Sequence, residues 1–107
     1  MNIYKEIEDM HAEMQSWRQH FHQFPETAFE EVNTARFISE KLRSFNLNVH
    51  EGLGNTGVVA SLSRGNSSKK IALRADIDAL FIQEQNELSY KSQNDGKMHA
   101  CGHDGHS

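Results

Sequence analysis

The 107-residue sequence contains one cysteine and one proline, and it has no long apolar run. A single cysteine excludes an intrachain disulfide. No stretch approaches the roughly 20 apolar residues that are needed to cross a bilayer. The acidic, amphipathic N-terminus also lacks the charged segment and apolar segment of a signal peptide. We therefore predict a cytoplasmic protein without a membrane partner.

Positive charge is also scarce, since 11 basic residues face 15 acidic ones and the net charge is −4. The basic residues are scattered, which argues against a nucleic-acid surface. Apolar residues make up 36% of the chain, which is lean for a globular domain. The length allows at most one domain. A chain this short of core material suits a fragment whose missing part completes the packing.

Two amphipathic helices are predicted in the first half of the chain. The first should run from Ile3 to about Phe24, because the residue before Pro25 is pushed out of the helical region. Its apolar stripe comprises Ile3, Ile7, Met10, Met14, Trp17, Phe21 and Phe24. Thr27 and Glu30 have the spacing of a capping box, which would start a second helix that ends near Phe45. The predicted buried face of that helix is Val32, Ala35, Ile38, Leu42 and Phe45.

The second half of the chain is predicted to contain strands and a long loop. Leu47–Glu51, Gly57–Ser63 and Lys70–Ala75 have strand-like patterns, and we expect the last two to pair as a hairpin. Residues 81–98 are polar and without period, which is typical of a functional or disordered loop. The predicted fold class is α/β, with two helices followed by the first strands of a sheet.

Residues 98–107 concentrate groups that bind metals. Cys101 and His103 offer thiolate and imidazole ligands for borderline-soft divalent ions. Gly102 permits a tight bend between them, and Asp104 adds a carboxylate that could bridge or orient. From spacing alone, a specific metal site and adventitious binding by a His-rich terminus both stay open. A nucleophilic Cys–His pair is disfavoured, because residues two apart rarely meet as nucleophile and base.

Two further groups of polar residues allow a functional and a structural interpretation. Asp76 and Asp78 follow the Lys70–Ala75 strand, where carboxylates could approach a metal, although aspartate is also common in solvated turns. The second group lies around the end of the first helix. It comprises Arg18, His20, His22 and Glu26. The simpler interpretation of that group is an exposed polar helix face.

Three motifs, in order, resemble those of one enzyme family. Trp17–Glu26 resembles its WRRxLHxxPE opening, Leu73–Leu80 its LRADMDAL strand end, and Met98–Ser107 its MHACGHDGHT motif. The last match is highly specific. The family is the aminoacylase-like metal-dependent amidohydrolases, which includes N-acyl-amino-acid amidohydrolases, hippurate hydrolases and indole-acetyl-amino-acid hydrolases. The resemblance makes residues 1–107 the N-terminal portion of a zinc-peptidase-type catalytic domain that stops after the first metal-binding motif.

The resemblance implies metal-dependent hydrolysis of the amide bond of N-acyl amino acids. It makes Cys101 and His103 metal ligands in a two-metal site that usually holds manganese or zinc. It gives Asp76 a possible supporting role and Asp78 a less certain one. It also implies that the full-length protein often dimerises.

The sequence departs from the family pattern in two small ways and one large way. Phe81 replaces a proline, and Ser107 replaces a threonine. The family's general-base glutamate and its remaining ligands lie further along the chain than residue 107, so the catalytic residues are unknown here. We therefore expect these residues to be inactive alone. The alternatives are a non-enzymatic metal-binding module and an interaction fragment that needs a downstream chain.

Overall fold

A computed structural model describes all residues 1–107. It contains four helices and one two-stranded sheet, and none of the helices is long and apolar enough to span a membrane. In chain order these elements are α1 Ile3–Asp9, α2 His11–Gln23, α3 Val32–Ser44, β1 Asn48–Leu53, β2 Gly57–Ser61 and α4 His103–His106.

The predicted first helix is present but divided. The Asn2 side chain accepts a hydrogen bond from the Lys5 amide at 3.3 Å and starts α1. A turn at Met10 separates α1 from α2, and α2 ends at Gln23, directly before Phe24 and Pro25, as the sequence predicts. The α1 segment has no buried residue, so only α2 packs its apolar stripe against the rest of the chain.

The predicted capping box at Thr27 is wrong. Thr27 is extended and forms a parallel bridge with Ala79, and α3 begins four residues later than expected. Glu26 caps this helix instead, since its carboxylate accepts hydrogen bonds from the Thr34 amide at 2.6 Å and the Asn33 amide at 3.2 Å. A carboxylate suits this place because it meets free amide groups and the positive end of the helix dipole.

The predicted buried face of α3 is only partly covered. Ala35, Ile38 and Leu42 are half-buried, whereas Val32 and Phe45 are exposed. The expectation was wrong for these two, because the β1–β2 hairpin and the Trp17 and His20 rings of α2 pack on α3 without fully covering either side chain.

The sheet forms between different strands than predicted. β1 and β2 pair antiparallel, from Asn48 opposite Ser61 to Leu53 opposite Gly57. The turn requires glycine at Gly57, since an added Cβ would lie 2.4 Å from the Leu53 carbonyl oxygen. The expected hairpin between Gly57–Ser63 and Lys70–Ala75 is absent. β2 pairs with β1, which precedes it in the sequence, and residues 70–75 form no ladder hydrogen bonds.

Residues 81–98 form no regular element, as the sequence predicts, but they are anchored to the rest of the chain. Leu80 and Met98 exchange both backbone hydrogen bonds at 3.0 Å. The Gln93 amide donates to the Gln23 carbonyl at 2.8 Å, and the Asn94 side chain donates to the Pro25 carbonyl at 2.8 Å. The loop thus lies across the end of α2 and carries α4 against it.

The buried interior is small and mostly polar. Phe21, Pro25 and Ala79 are its apolar members. The buried polar and charged residues are His22, Thr27, Glu31, Thr34, Ser39, Glu84, His99 and Asp104. This agrees with the low apolar content of the sequence. Hydrogen bonds and charge pairs therefore stabilise much of the fold.

Candidate metal centre

The histidine of the terminal motif is held in one orientation by an aspartate. His103 opens α4, after Gly102 has turned the chain through a left-handed conformation with φ 97°. Its Nδ1 lies 3.0 Å from both the backbone oxygen and the carboxylate Oδ1 of Asp78. A carbonyl oxygen can only accept, so Nδ1 carries the proton and the neutral ring presents a lone pair on Nε2. Metal-ligating histidines use this arrangement.

Asp76 also lies beside this ring, but at longer range. Its Oδ2 is 3.9 Å from His103 Nε2. Its Oδ1 accepts from Arg74 Nε at 3.1 Å and from Arg74 Nη2 at 2.9 Å. The irregular segment after residue 75 therefore brings both predicted aspartates to His103. Asp78 makes the orienting hydrogen bonds, and the supporting role of Asp76 stays a prediction.

The donors of the motif form an incomplete set. Cys101 is an exposed free thiol on the other side of Gly102 from His103. No group of three or more His, Cys, Asp or Glu residues in the chain could hold a metal ion. A thiolate and an imidazole suit zinc-like ions, but catalytic sites of this kind use at least three protein ligands. The residues therefore fit part of a metal site, and further ligands have to come from elsewhere.

The carboxylate of Asp104 points away from this site, into a buried network on α2. Its Oδ2 lies 2.9 Å from His22 Nδ1 and 3.0 Å from Arg18 Nε. His22 Nε2 lies 3.0 Å from a carboxylate oxygen of Glu84. His22, Asp104 and Glu84 are 3%, 4% and 2% exposed. The interpretation of an exposed polar face is therefore wrong for His22, because α4 and the loop cover that side of α2.

Glu84 is a buried anion that the sequence analysis did not single out. Burial raises the pKa of Glu84, but hydrogen bonds from His22, the Ser92 amide and Asn86 outweigh it and hold the pKa below its usual value. The Ser92 amide donates at 2.7 Å and Asn86 Nδ2 at 3.2 Å. Glu84 has no periodic context in the sequence that would distinguish it from Glu87 nearby, so no local signal could have found it.

The other members of the α2 group have structural roles. His20 stacks on Phe37 with ring centroids 4.4 Å apart, and burial lowers the pKa of His20. Arg18 is partly exposed and lies 5.5 Å from the ring centre of Tyr90. Glu26 caps α3. The exposed-face interpretation is therefore wrong for His20 and Glu26 as well, although neither approaches the metal motif.

His99 is the remaining buried group of the motif. It is 4% exposed, and neither ring nitrogen has a hydrogen-bond partner within the chain. Burial lowers the pKa of His99, against an opposing effect of the Asp104 charge. The ring is therefore neutral near pH 7.

Comparison with known proteins agrees with this assignment of motifs. The sequence pattern of peptidase family M20/M25/M40 matches residues 72–107. A hippurate hydrolase from Campylobacter jejuni is 50% identical over 107 residues, which are all of this chain and 28% of that protein. An N-acyl-L-amino acid amidohydrolase from Geobacillus stearothermophilus is 42% identical over 101 residues, or 94% of this chain and 27% of that protein.

Solved structures match the fold. A Bacillus subtilis protein, YXEP, described as a dinuclear metal binding peptidase from the M20 family, superimposes with a TM-score of 0.84 at 40% identity. It matches 91% of this chain and 28% of that one. A protein from methicillin-resistant Staphylococcus aureus gives a TM-score of 0.92 at 38% identity, over 97% of this chain and 28% of that one.

The chain belongs to the M20 family of metallopeptidase-like hydrolases, as the three sequence motifs indicate. It spans about a quarter of the length of the relatives it matches, a share that fits the N-terminal portion of the family's catalytic domain.

Proposed function

We propose that this chain contributes the first metal-binding motif of an amidohydrolase that cleaves the amide bond of N-acyl amino acids. The observation that carries the proposal is the fixed tautomer of His103, whose Nδ1 is held by Asp78 and whose Nε2 is left for a metal. Cys101 would be the second donor from this chain. A bound manganese or zinc ion would act as a Lewis acid toward the amide carbonyl.

The residues of this chain have separable tasks in that proposal. Asp78 orients the ring of His103, and Cys101 adds negative charge to the donor set. Asp76, paired with Arg74, places a carboxylate near the same ring without contacting it closely. No glutamate of this chain stands at a position that the family uses as general base, so catalysis would need residues beyond these 107. The complete enzyme would take a small N-acyl amino acid and would form a dimer.

The test is hydrolysis by purified residues 1–107 with Mn²⁺ or Zn²⁺ and an N-acyl amino acid. We expect no amino acid to be released. Release that disappears in Cys101→Ala would contradict the expectation of inactivity and place a complete site in this chain. A chain that binds no metal through Cys101 would refute the proposed donor role instead.

A second candidate function is that of an interaction fragment, and the open apolar groove favours it. This groove is lined by Ile38 and Leu42 of α3, Val59 of β2, and Ile71 and Leu73 of the unpaired segment. Ile71 and Leu73 are 92% and 95% exposed. Covering two such side chains would contribute about 3–6 kcal/mol. The occupant we infer is the remaining portion of an M20 chain, because the matched relatives are more than three times longer.

Co-purification tests this candidate. The part of the Campylobacter jejuni relative outside the matched region would serve as partner. We expect a complex with the wild-type chain, and its loss in Ile71→Lys/Leu73→Lys. The matched control is Ile3→Lys/Ile7→Lys, which changes two exposed apolar residues of α1 outside the groove. Equal binding by all three chains would rule out the groove as the contact.

A further inference from the structure

We propose that His22 is a positioning residue, which ties the metal-binding loop to α2 by gripping Asp104. The proposal rests on the proposed metal site, since it assigns a task to residues that support Cys101 and His103. It also gives a physical reason for the histidine in the Trp17–Glu26 motif, which lies about 80 residues before that loop in the sequence.

His22 is clamped at both ends of its ring. Nδ1 faces Asp104 at 2.9 Å, and Nε2 faces the two oxygens of Glu84 at 3.1 and 3.0 Å. A carboxylate is an acceptor only, so both contacts are hydrogen bonds when both ring nitrogens carry protons. The imidazolium form therefore satisfies the geometry, and a ring held at both nitrogens cannot rotate without breaking a charge-assisted bond.

With both ring nitrogens of His22 protonated, the network is balanced in charge, because His22 and the guanidinium of Arg18 then face the carboxylates of Glu84 and Asp104. The edge of His22 also meets Tyr90, whose ring centroid lies 5.6 Å away. Burying such a group costs desolvation that well-packed apolar side chains would avoid. We therefore assign the network a role in positioning Asp104, in addition to any contribution to stability.

The part of the chain that is positioned is the backbone of the metal loop, which carries Cys101 and His103. Asp104 follows His103 directly, so fixing its carboxylate fixes the first turn of α4. Asp78 holds the ring of His103 from the other side at 3.0 Å. Gly102, in its left-handed conformation, joins this turn to Cys101. The segment that carries the two donors is therefore held at two places, by Asp78 through the His103 ring and by His22 of α2 through Asp104.

The test compares His22→Leu with His20→Leu, a matched loss of histidine two positions away on the same helix. The first readout is amide hydrogen exchange in the metal-free chain. We expect the amides of Gly105 and Ser107, which close α4, to exchange faster in His22→Leu only. The Ala35 amide inside α3 should keep its protection in both variants, which separates loss of positioning from unfolding.

The second readout is Co²⁺ titration, followed through the thiolate-to-cobalt absorption of Cys101. Removing a residue that supports ligands through another group commonly costs 10–100-fold in metal affinity. We expect a loss in that range for His22→Leu and none for His20→Leu. Glu84→Gln, which keeps the volume and an acceptor for His22, should restore most of the wild-type affinity relative to Glu84→Ala.

The outcomes separate the two proposals. Unchanged exchange at Gly105 and Ser107, or equal Co²⁺ affinity in His22→Leu and wild type, would overturn the positioning role. Faster exchange at these amides in His22→Leu, together with no cobalt absorption in the wild-type chain, would uphold the tether and overturn the proposed role of Cys101 as a metal donor in this chain. Loss of Ala35 protection in His22→Leu would show a purely structural role and also overturn the proposal.

Discussion

Replacing Glu26 by alanine should destabilise α3. The carboxylate accepts from the amide and hydroxyl of Thr34 at 2.6 and 2.7 Å, and from the amide and side chain of Asn33 at 3.2 and 3.1 Å. No other side chain caps this helix. Glu26 comes from outside the helix, so its removal leaves several donors without partners at once.

The magnitude follows from three contributions. Loss of an N-cap acceptor costs about 1 kcal/mol. Loss of an anion at a helix N-terminus costs about 0.3–1 kcal/mol. A buried donor left without a partner, here the Thr34 hydroxyl, costs about 1–3 kcal/mol. We therefore expect Glu26→Ala to lower the free energy of unfolding by about 2–5 kcal/mol. Glu26→Gln keeps one acceptor and should cost about 1 kcal/mol.

Urea unfolding followed by far-ultraviolet circular dichroism measures the effect, and hydrogen exchange at the Thr34 amide localises it. The matched control is Asp9→Ala, which removes an exposed partner of Lys5 at 3.2 Å. An exposed pair contributes at most about 1 kcal/mol. Equal losses in Glu26→Ala and Asp9→Ala, or unchanged exchange at Thr34, would refute the capping role.

Three further predictions concern the hairpin, the acid response and the histidine tautomer. Gly57→Ala should destabilise the β1–β2 hairpin, because its Cβ would meet the Leu53 carbonyl at 2.4 Å; a thermal melt as high as wild type would contradict this. The pKa values of Glu84 and His20 lie below their ordinary values, so the unfolded chain binds more protons and stability should fall as the pH drops below about 6.5. The fall in stability should be shallower at low pH in Glu84→Gln than in the wild type. Urea midpoints measured across pH test this, and parallel curves for the two chains would contradict it. Asp78→Ala should remove one of the two acceptors at His103 Nδ1 and leave the backbone carbonyl of residue 78 in place, so nitrogen NMR should show a larger share of the tautomer protonated at Nε2 than in the wild type.

The sequence predicted the parts of this structure that depend on local pattern or on a specific motif. The end of α2 before Pro25 follows from a steric rule, and the placement of Asp76 and Asp78 beside His103 follows from motifs at the end of one extended segment and in the next. The partner of β2 was predicted wrongly because two segments with similar strand-like patterns, Leu47–Glu51 and Lys70–Ala75, flank it in the sequence. Periodicity records which face of a strand is apolar, and it does not record which neighbour occupies an edge.

The polar network around His22 could not be found in this way, for a physical reason. Hydrophobic periodicity assigns polar residues to the surface, and His22 and Glu84 each look like surface residues when read locally. Their burial depends on each other, since either charge alone would be costly to bury and together they offset that cost. The pair is separated by 62 residues, so the information is present only as a long-range pairing. A single sequence contains no local trace of such a pairing.

The mutual dependence of His22 and Glu84 also affects the stability of α4 and of the loop before it. Because the apolar interior of the chain consists of little more than Phe21, Pro25 and Ala79, the contacts that fix α4 against α2 are largely electrostatic. Removing one partner of a buried pair leaves the other charge unpaired and costs about 3–5 kcal/mol, a large share of the stability of any small domain. Glu84→Ala should therefore release α4 and the loop together, whereas an apolar truncation such as Leu53→Ala on the exposed hairpin should not. The order of the metal loop is in this way tied to an ion network in the loop and helix that precede it.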